Sequence, residues 1–254
     1  MKHLLLLSVL ALATSPTNSE ENINDAAQDP SAAPDSAADW SGSAELGFIE
    51  TNGNSDTQSL NGKFNLSREK DALKTSLKTE ALTSKENGNA SKEKYTSTLK
   101  ADYSLDKYDY LTSTLSYEDD RFSGYEYQYT FALGYGYRAW NDEDGKLDLE
   151  IGPGYRRNVL DQRNDQGKKV EDEAVGRAAL NLQVNLSSNA KFTEVLTIEG
   201  GDANVIYKSD MGLESALIGA LAMKINYQVK YTEEVPEDTE NTESQVAVTL
   251  VYNF

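Results

Sequence analysis

Cysteine is absent from the 254 residues. That excludes disulfide frameworks, zinc–thiolate sites and a lipid-modified N-terminal cysteine. Histidine occurs once, as His3, inside a stretch with the layout of an export signal. Histidine is the usual general base and a common metal ligand, so histidine-dependent hydrolysis and transition-metal sites lose their main residue. Positive charge is outnumbered, 24 Lys and Arg against 42 Asp and Glu, for a formal net charge of −18. No basic stripe serves nucleic acid or an anionic membrane surface. No stretch after the start approaches the ~18 apolar residues of a membrane helix. The chain is therefore either exported and soluble or held in a membrane by strands.

The first nineteen residues read as a secretory signal peptide. Lys2 is the positive start, Leu4 to Ala13 the short apolar core, and small residues with a proline follow. Ala11 with Ala13, or Thr17 with Ser19, marks the cleavage site. Residues 20–39 are rich in Ala, Ser, Pro and Asp and contain no Lys or Arg. Such a segment buries too little apolar surface to offset chain entropy, so we expect a disordered acidic linker. This leaves 40–254 as one folded unit.

From Trp40 onward the dominant period is two, the signature of strands whose side chains alternate between faces. In the sixth segment Tyr127, Tyr129, Phe131, Leu133, Tyr135 and Tyr137 share a face with Tyr125. Glu126, Gln128, Thr130, Ala132, Gly134, Gly136 and Arg138 form the other. Twelve such segments are expected at 40–51, 57–68, 72–83, 93–105, 108–119, 125–140, 146–159, 172–186, 191–200, 206–218, 224–232 and 243–254. The ninth and tenth are the least regular, because Glu194 and Asp210 interrupt the alternation. Most match the ~9–11 residues a tilted strand needs to cross a bilayer.

Loop lengths sort by parity. Long polar loops are expected after odd strands, at 84–92, 160–169 and 233–242, and short turns after even ones. Outer-membrane barrels have this asymmetry and an even strand number. Trp40, Tyr108, Trp140, Tyr252 and Phe254 fall where a periplasmic aromatic girdle belongs, and Tyr95, Tyr117, Phe122, Tyr125 and Tyr155 where an outer one does. The expected fold is all-β, a transmembrane antiparallel up-and-down barrel of about twelve strands.

The last segment, SQVAVTLVYNF, alternates Val246, Val248, Leu250, Tyr252 and Phe254 on one face. It resembles the insertion signal of bacterial outer-membrane proteins, with Tyr252 and Phe254 as its aromatic end. Two further stretches carry a family likeness: LGFIETNGNSDTQSLNGKFNLSREKD from Leu46 to Asp71, and LEIGPGYRRNVL from Leu149 to Leu160. With the closing VTLVYNF they resemble the YdiY-like salt-induced outer-membrane protein family, a domain of unknown function, over roughly Trp40 to Phe254. The resemblance implies an outer-membrane location. It carries over no catalytic residue.

Parity also lists the inward face. The expected lumen-lining cations are Lys63, Lys74, Lys78, Lys100, Arg138, Arg156, Arg177, Lys224 and Lys230. The expected lining acids are Glu80, Asp102, Glu118, Glu126, Asp148 and Glu150, with Glu45 and Glu214. A lysine or arginine on the lipid face near the midplane would cost ~2–4 kcal/mol, so these groups belong inside. Eight strands fill their interior with side chains and sixteen leave a channel. Twelve leaves open a narrow passive passage for small solutes or ions and a closed barrel with an envelope or osmotic role, with a soluble exported β-protein as a third reading. An outer-membrane hydrolase is disfavoured, because no histidine remains and no spacing points to Ser–Lys chemistry. We expect no cofactor and no resident metal. The acidic run Glu233, Glu234, Glu237, Asp238, Glu240 and Glu243, and the pair Asp119 and Asp120, raise divalent-cation binding as an alternative. Gly134/Gly136 and Gly152/Gly154 open no helix, so the dinucleotide fingerprint fails; close packing across the lumen explains them better. The expected partners are outer-membrane lipids, lipopolysaccharide and the barrel-assembly machinery reading the last strand.

Overall fold

The computed structural model describes residues 39–51, 57–164, 167–202, 204–235 and 240–254. The expected signal peptide and all of the expected linker except Asp39 lie outside the described residues. The strands are β1 (Asp39–Thr51), β2 (Thr57–Lys70), β3 (Leu73–Glu86), β4 (Asn89–Ser104), β5 (Asp109–Asp120) and β6 (Tyr125–Asn141). They continue as β7 (Gly145–Leu160), β8 (Val170–Ser187), β9 (Ala190–Gly201), β10 (Val205–Ile218), β11 (Leu221–Thr232) and β12 (Thr242–Asn253). Each pairs antiparallel with its chain neighbours, and β1 pairs with β12 through Ser43 opposite Asn253 and Leu46 opposite Leu250. The sheet is a closed barrel with no free edge.

The alternation decides what each wall faces. Leu46 and Phe48 on β1, Leu111 and Leu115 on β5, Phe131 and Leu133 on β6, and Val248 and Leu250 on β12 all point outward and are exposed. A water-soluble surface rarely carries contiguous apolar patches beyond a few hundred Å². An apolar exterior running around the whole barrel is the surface of a membrane barrel. Glu194 is the exception on β9: it shares the outward parity of Leu196 and Ile198. Ser209 donates to its carboxylate at 2.8 Å, and Leu182 and Met211 stand in register on either side. Glu194 as a whole is 8% exposed.

The two ends of the barrel differ. Even strands lead into turns at 71–72, 105–108, 142–144, 188–189 and 219–220, while the longest connections, 161–169 and 233–241, follow odd strands. The expected long loop at 84–92 is replaced by a tight hairpin. β3 runs to Glu86, β4 starts at Asn89, and Asn87 and Gly88 have φ of 49° and 80°. Two positive φ values are what a type I′ turn needs, and Asn-Gly supplies them.

A bulge at the outer end of β6 corrects two expectations. Tyr125 pairs with Leu160 but Tyr127 with Val159, so one residue is inserted. The parity flips there. Tyr125 turns inward and is 6% exposed, so it is no part of the outer girdle. Glu126 turns outward and pairs with Lys169 of the 161–169 loop at 2.8 Å, so it does not line the lumen. Trp40, Tyr108, Tyr252 and Phe254 at the short-turn end, and Tyr95, Tyr117, Phe122 and Tyr155 at the other, are exposed as girdle residues are.

Candidate functional site: the charged lumen

Inward positions from eleven strands, all except β1, border a cavity of about 390 Å³. Its walls are strongly charged, and the charges meet across the barrel. Lys230 on β11 contacts Glu118 on β5 at 2.6 Å, although these strands are six apart in either direction around the ring. Lys78 on β3 contacts Asp210 on β10 at 2.9 Å, five strands away. Lys94 on β4 reaches Glu243 on β12 at 2.9 Å. A circular twelve-stranded cylinder would be about 24 Å across. From ordinary bond lengths, lysine and glutamate side chains in contact hold their Cα atoms within roughly 14 Å. The barrel is therefore pinched along the β5–β11 direction.

Each bridge is embedded in a polar network. Lys78 also contacts Glu80 at 2.9 Å, and Gln228 donates to Glu80 at 3.3 Å and to Asp210 at 3.0 Å. Lys63 donates to Asn226, three strands away, at 2.8 Å and contacts its register partner Glu80 at 3.4 Å. Lys78 and Lys208 point inward yet keep side-chain exposures of 42% and 39%, so this part of the lumen has room for water.

The end nearer the short turns is different. Val251, Asn226, Thr249 and Tyr110 are inward and at most 2% exposed. Glu150 there collects Lys100 at 2.5 Å, the Tyr110 hydroxyl at 2.8 Å and Arg177 at 3.1 Å. Tyr110 lies flat on Gly136: a Cβ there would sit 2.1 Å from its ring. Arg138 stacks on Tyr110 with its guanidinium carbon 4.8 Å from the ring centroid. The inward glycine on β6 thus makes space for a wall-hugging aromatic. Lys224 contacts Glu45 at 3.0 Å beside this region.

Of the residues expected from parity, Lys63, Lys78, Glu80, Lys100, Asp102, Glu118, Glu150, Arg156, Arg177, Lys224 and Lys230 meet inside the barrel. Arg156 is 1% exposed and is held by Glu173 at 2.6 Å and the Asn204 carbonyl at 2.7 Å. Arg138 and Asp148 face each other in register near the short-turn mouth, and Lys74, opposite Asp102, is exposed there. Sequence reasoning missed Lys94, Glu199, Lys208 and Asp210. Parity would have supplied Lys94, which alternates with Thr96 and Thr98. The other three lie on β9 and β10, where Glu194 and Asp210 read as interruptions of the alternation; Asp210 in fact keeps the inward parity of Lys208. Glu243 and Asp120 are turned inward onto Lys94, so both leave the acidic sets raised for cation binding. Glu237 and Asp238 lie outside the described residues. Among the described residues no three acidic side chains stand together in a way that would hold a metal ion.

Among solved structures, the chain has a TM-score of 0.48 with the COG4313 outer membrane channel from Pseudomonas putida F1, at 12% identity over 90% of this chain and 100% of the other. The NanC porin gives 0.47 at 14% identity, covering 85% and 98%. The KdgM porin in complex with disordered oligogalacturonate gives 0.46 at 11%, covering 84% and 99%. Among curated proteins, "Uncharacterized protein YdiY" of Escherichia coli (strain K12) is 27% identical over 216 residues, 85% of this chain and 83% of that protein. The family described as "Protein of unknown function, DUF481" matches residues 44–254, so the resemblance read from the three sequence stretches holds and the chain belongs to that family.

Proposed function

We propose that the protein is a bacterial outer-membrane barrel whose lumen passes water and small ions and excludes sugar-sized solutes. The observation that carries this reading is the Lys230–Glu118 contact between opposite walls. It leaves a charged cavity of about 390 Å³ on a path too pinched for an open porin. Cations and acids lining the path are nearly balanced, which suits a narrow passage better than a site for one highly charged solute. The outer-membrane location is supported by the apolar exterior, the even strand number and the long loops gathered at one end. In this reading residues 1–19 direct export, and Tyr252 and Phe254 close the strand read by the assembly machinery. Lipid and lipopolysaccharide cover the outer face.

The test is single-channel recording in a planar lipid bilayer with folded, heat-modifiable protein. We expect small, reproducible steps, and a several-fold larger conductance when Glu118→Gln releases the opposite wall. Silence from inserted wild type and variant alike would sink the passage and favour the second reading, a closed barrel with an envelope or osmotic role. That reading has its own support in the unexposed Val251, Thr249 and Asn226 near the short turns.

A further inference from the structure

The ring closes where β12 meets β1, yet this seam is not paired along its whole height. β1 pairs with β2 from Asp39 to Thr51, and β12 pairs with β11 from Thr242 to Tyr252. The ladder between β1 and β12 is shorter. Gly42 exchanges both backbone bonds with Phe254, at 2.8 and 2.9 Å. Pairing then runs from Ser43 opposite Asn253 to Leu46 opposite Leu250. Gly47 still lies against β12, since a Cβ there would sit 2.8 Å from the Val248 carbonyl oxygen. The same register would set Phe48 against Val248 and Glu50 against Val246. Among the described residues no pairing joins them.

An antiparallel ladder alternates, which fixes the groups left over. Gly42, Ala44 and Leu46 are the positions on β1 that exchange bonds with β12. The backbone N–H and C=O of Phe48 and Glu50 therefore point at β12, and those of Val246 and Val248 point back. This stretch is the half of the seam toward the long loops, the outer leaflet in the proposed orientation. Lipid tails offer such groups no hydrogen-bond partner. Water or a polar solute has to supply one, and the cavity is at hand: Gln245 and Glu243 of β12 line it. On the lipid side stand Phe48, Val246 and Val248, apolar and exposed. Glu243 is already held by Lys92 at 2.6 Å and Lys94 at 2.9 Å, so the wall behind the seam offers a newcomer no surplus charge.

We propose that this seam is a lateral slot for a single-chain amphiphile with a small uncharged head, such as a hydroxyl or an imide. The head bonds the unpaired backbone groups from the cavity side. The alkyl chain lies over Phe48, Val246 and Val248 in the outer leaflet. A charged head is disfavoured because it would leave water without a counter-charge. The slot rests on the membrane reading of the barrel and not on ion passage.

Hydrogen exchange on the wild-type chain in lipid vesicles tests the ladder. The amides of Phe48, Val246 and Val248 should exchange many-fold faster than those of Leu46, Leu250 and Tyr252. Equal protection would mean that the seam is closed by pairing or by a bound strand, and overturns the slot. N-dodecylmaleimide, itself such an amphiphile, tests entry. Gln245→Cys places a thiol behind the seam, and Ser116→Cys places one on the cavity side of the fully paired β4–β5 wall. Labelling by N-ethylmaleimide corrects for access through water. The dodecyl-to-ethyl ratio, read by intact mass, should be many-fold higher at Gln245→Cys, and equal ratios overturn the slot. Excess 1-dodecanol should compete with the dodecyl reagent; competition by laurate as strong as by 1-dodecanol overturns the uncharged head. A chain that fails to insert into vesicles, seen as lost heat-modifiability, overturns the membrane reading and the slot with it. Absence of channel current overturns the ion passage alone.

Discussion

The two halves of the lumen solve the same problem, how to hold charge inside a barrel, in opposite ways. Near the short turns, charge is packed dry. Glu150 has a side chain 1% exposed and is enclosed by Lys100, Arg177 and Tyr110, all from β4, β5 and β8 on its own side of the ring. Around Lys78 and Lys208, whose side chains are 42% and 39% exposed, water reaches the charges, and the contacts jump between walls. The difference teaches which charges hold the fold and which shape the passage. A dry cluster is costly to break because each remaining partner is stranded. A wet bridge gives way at lower cost because water can take either partner's place.

The sharpest way to break this comparison is Glu150→Ala. It takes the shared acceptor from Lys100, Arg177 and the Tyr110 hydroxyl together, leaving Lys100 with Asp102 and Arg177 with Glu199, and should cost about 3 kcal/mol of stability, read as the shift of a urea unfolding transition in lipid vesicles. A loss no greater than that of Lys208→Gln, where the lysine side chain is 39% exposed, would erase the distinction between the halves. Next comes Gly136→Ala, which places a Cβ where the Tyr110 ring lies. The ring must lift from the wall, and overpacking of this kind costs about 1–3 kcal/mol. The same unfolding assay checks it, and an unchanged midpoint would mean that Tyr110 does not rest on that wall.

A smaller effect of opposite sign is expected outside the lumen. Glu194 is an acid facing lipid, and the penalty for acids there is less than the ~2–4 kcal/mol of Lys or Arg. Glu194→Leu should therefore raise stability by about 1 kcal/mol, and Ser209→Ala alone should lower it, because the carboxylate loses its donor. A destabilised Glu194→Leu would show that the carboxylate belongs to an interface rather than to an exception in the wall.

The smallest effect concerns pH at the short turns. Asp106 accepts the backbone N–H groups of Asp109 and Tyr108, at 2.8 and 2.7 Å, which holds its carboxyl below the usual range. Asp142 is lowered by the Trp140 indole N–H and by the N–H groups of Asp144 and Gly145. A depressed carboxyl contributes stability above its unfolded pKa, near 3.9, and loses it as pH falls through the folded value. Amide exchange at Tyr108 and Asp109 should stay slow on acidification past that ordinary value in wild type and be fast throughout in Asp106→Ala. Equal exchange in the two proteins would remove the turn cap.

Most of the fold was legible because one face of every strand meets lipid, and lipid enforces strict alternation. The edges of β5, β6 and β10 come within a residue of those read from period two alone. What escaped was local or long-range. The Asn87-Gly88 hairpin hid inside a polar run that read as a loop, and the insertion at Tyr125–Tyr127 reversed a parity that alternation assumes constant. Glu194 made β9 look irregular, although its backbone continues undisturbed and only its side chain departs from the rule. The contacts across the lumen were beyond reach for another reason. Lys78 and Asp210 are 132 positions apart, and only closure of β1 on β12 fixes which walls face each other.

Opposite walls pinch the lumen, and the cysteine-free chain allows the pinch to be tested directly. Ser116→Cys and Gln228→Cys place thiols one inward step from Glu118 and Lys230 while leaving both charges intact. The account predicts rapid, near-complete cross-linking in the membrane by a bismaleimide far too short to span a circular twelve-stranded barrel about 24 Å across. Cross-linking only by a reagent of that full length would contradict the pinch and, with it, the narrow passage.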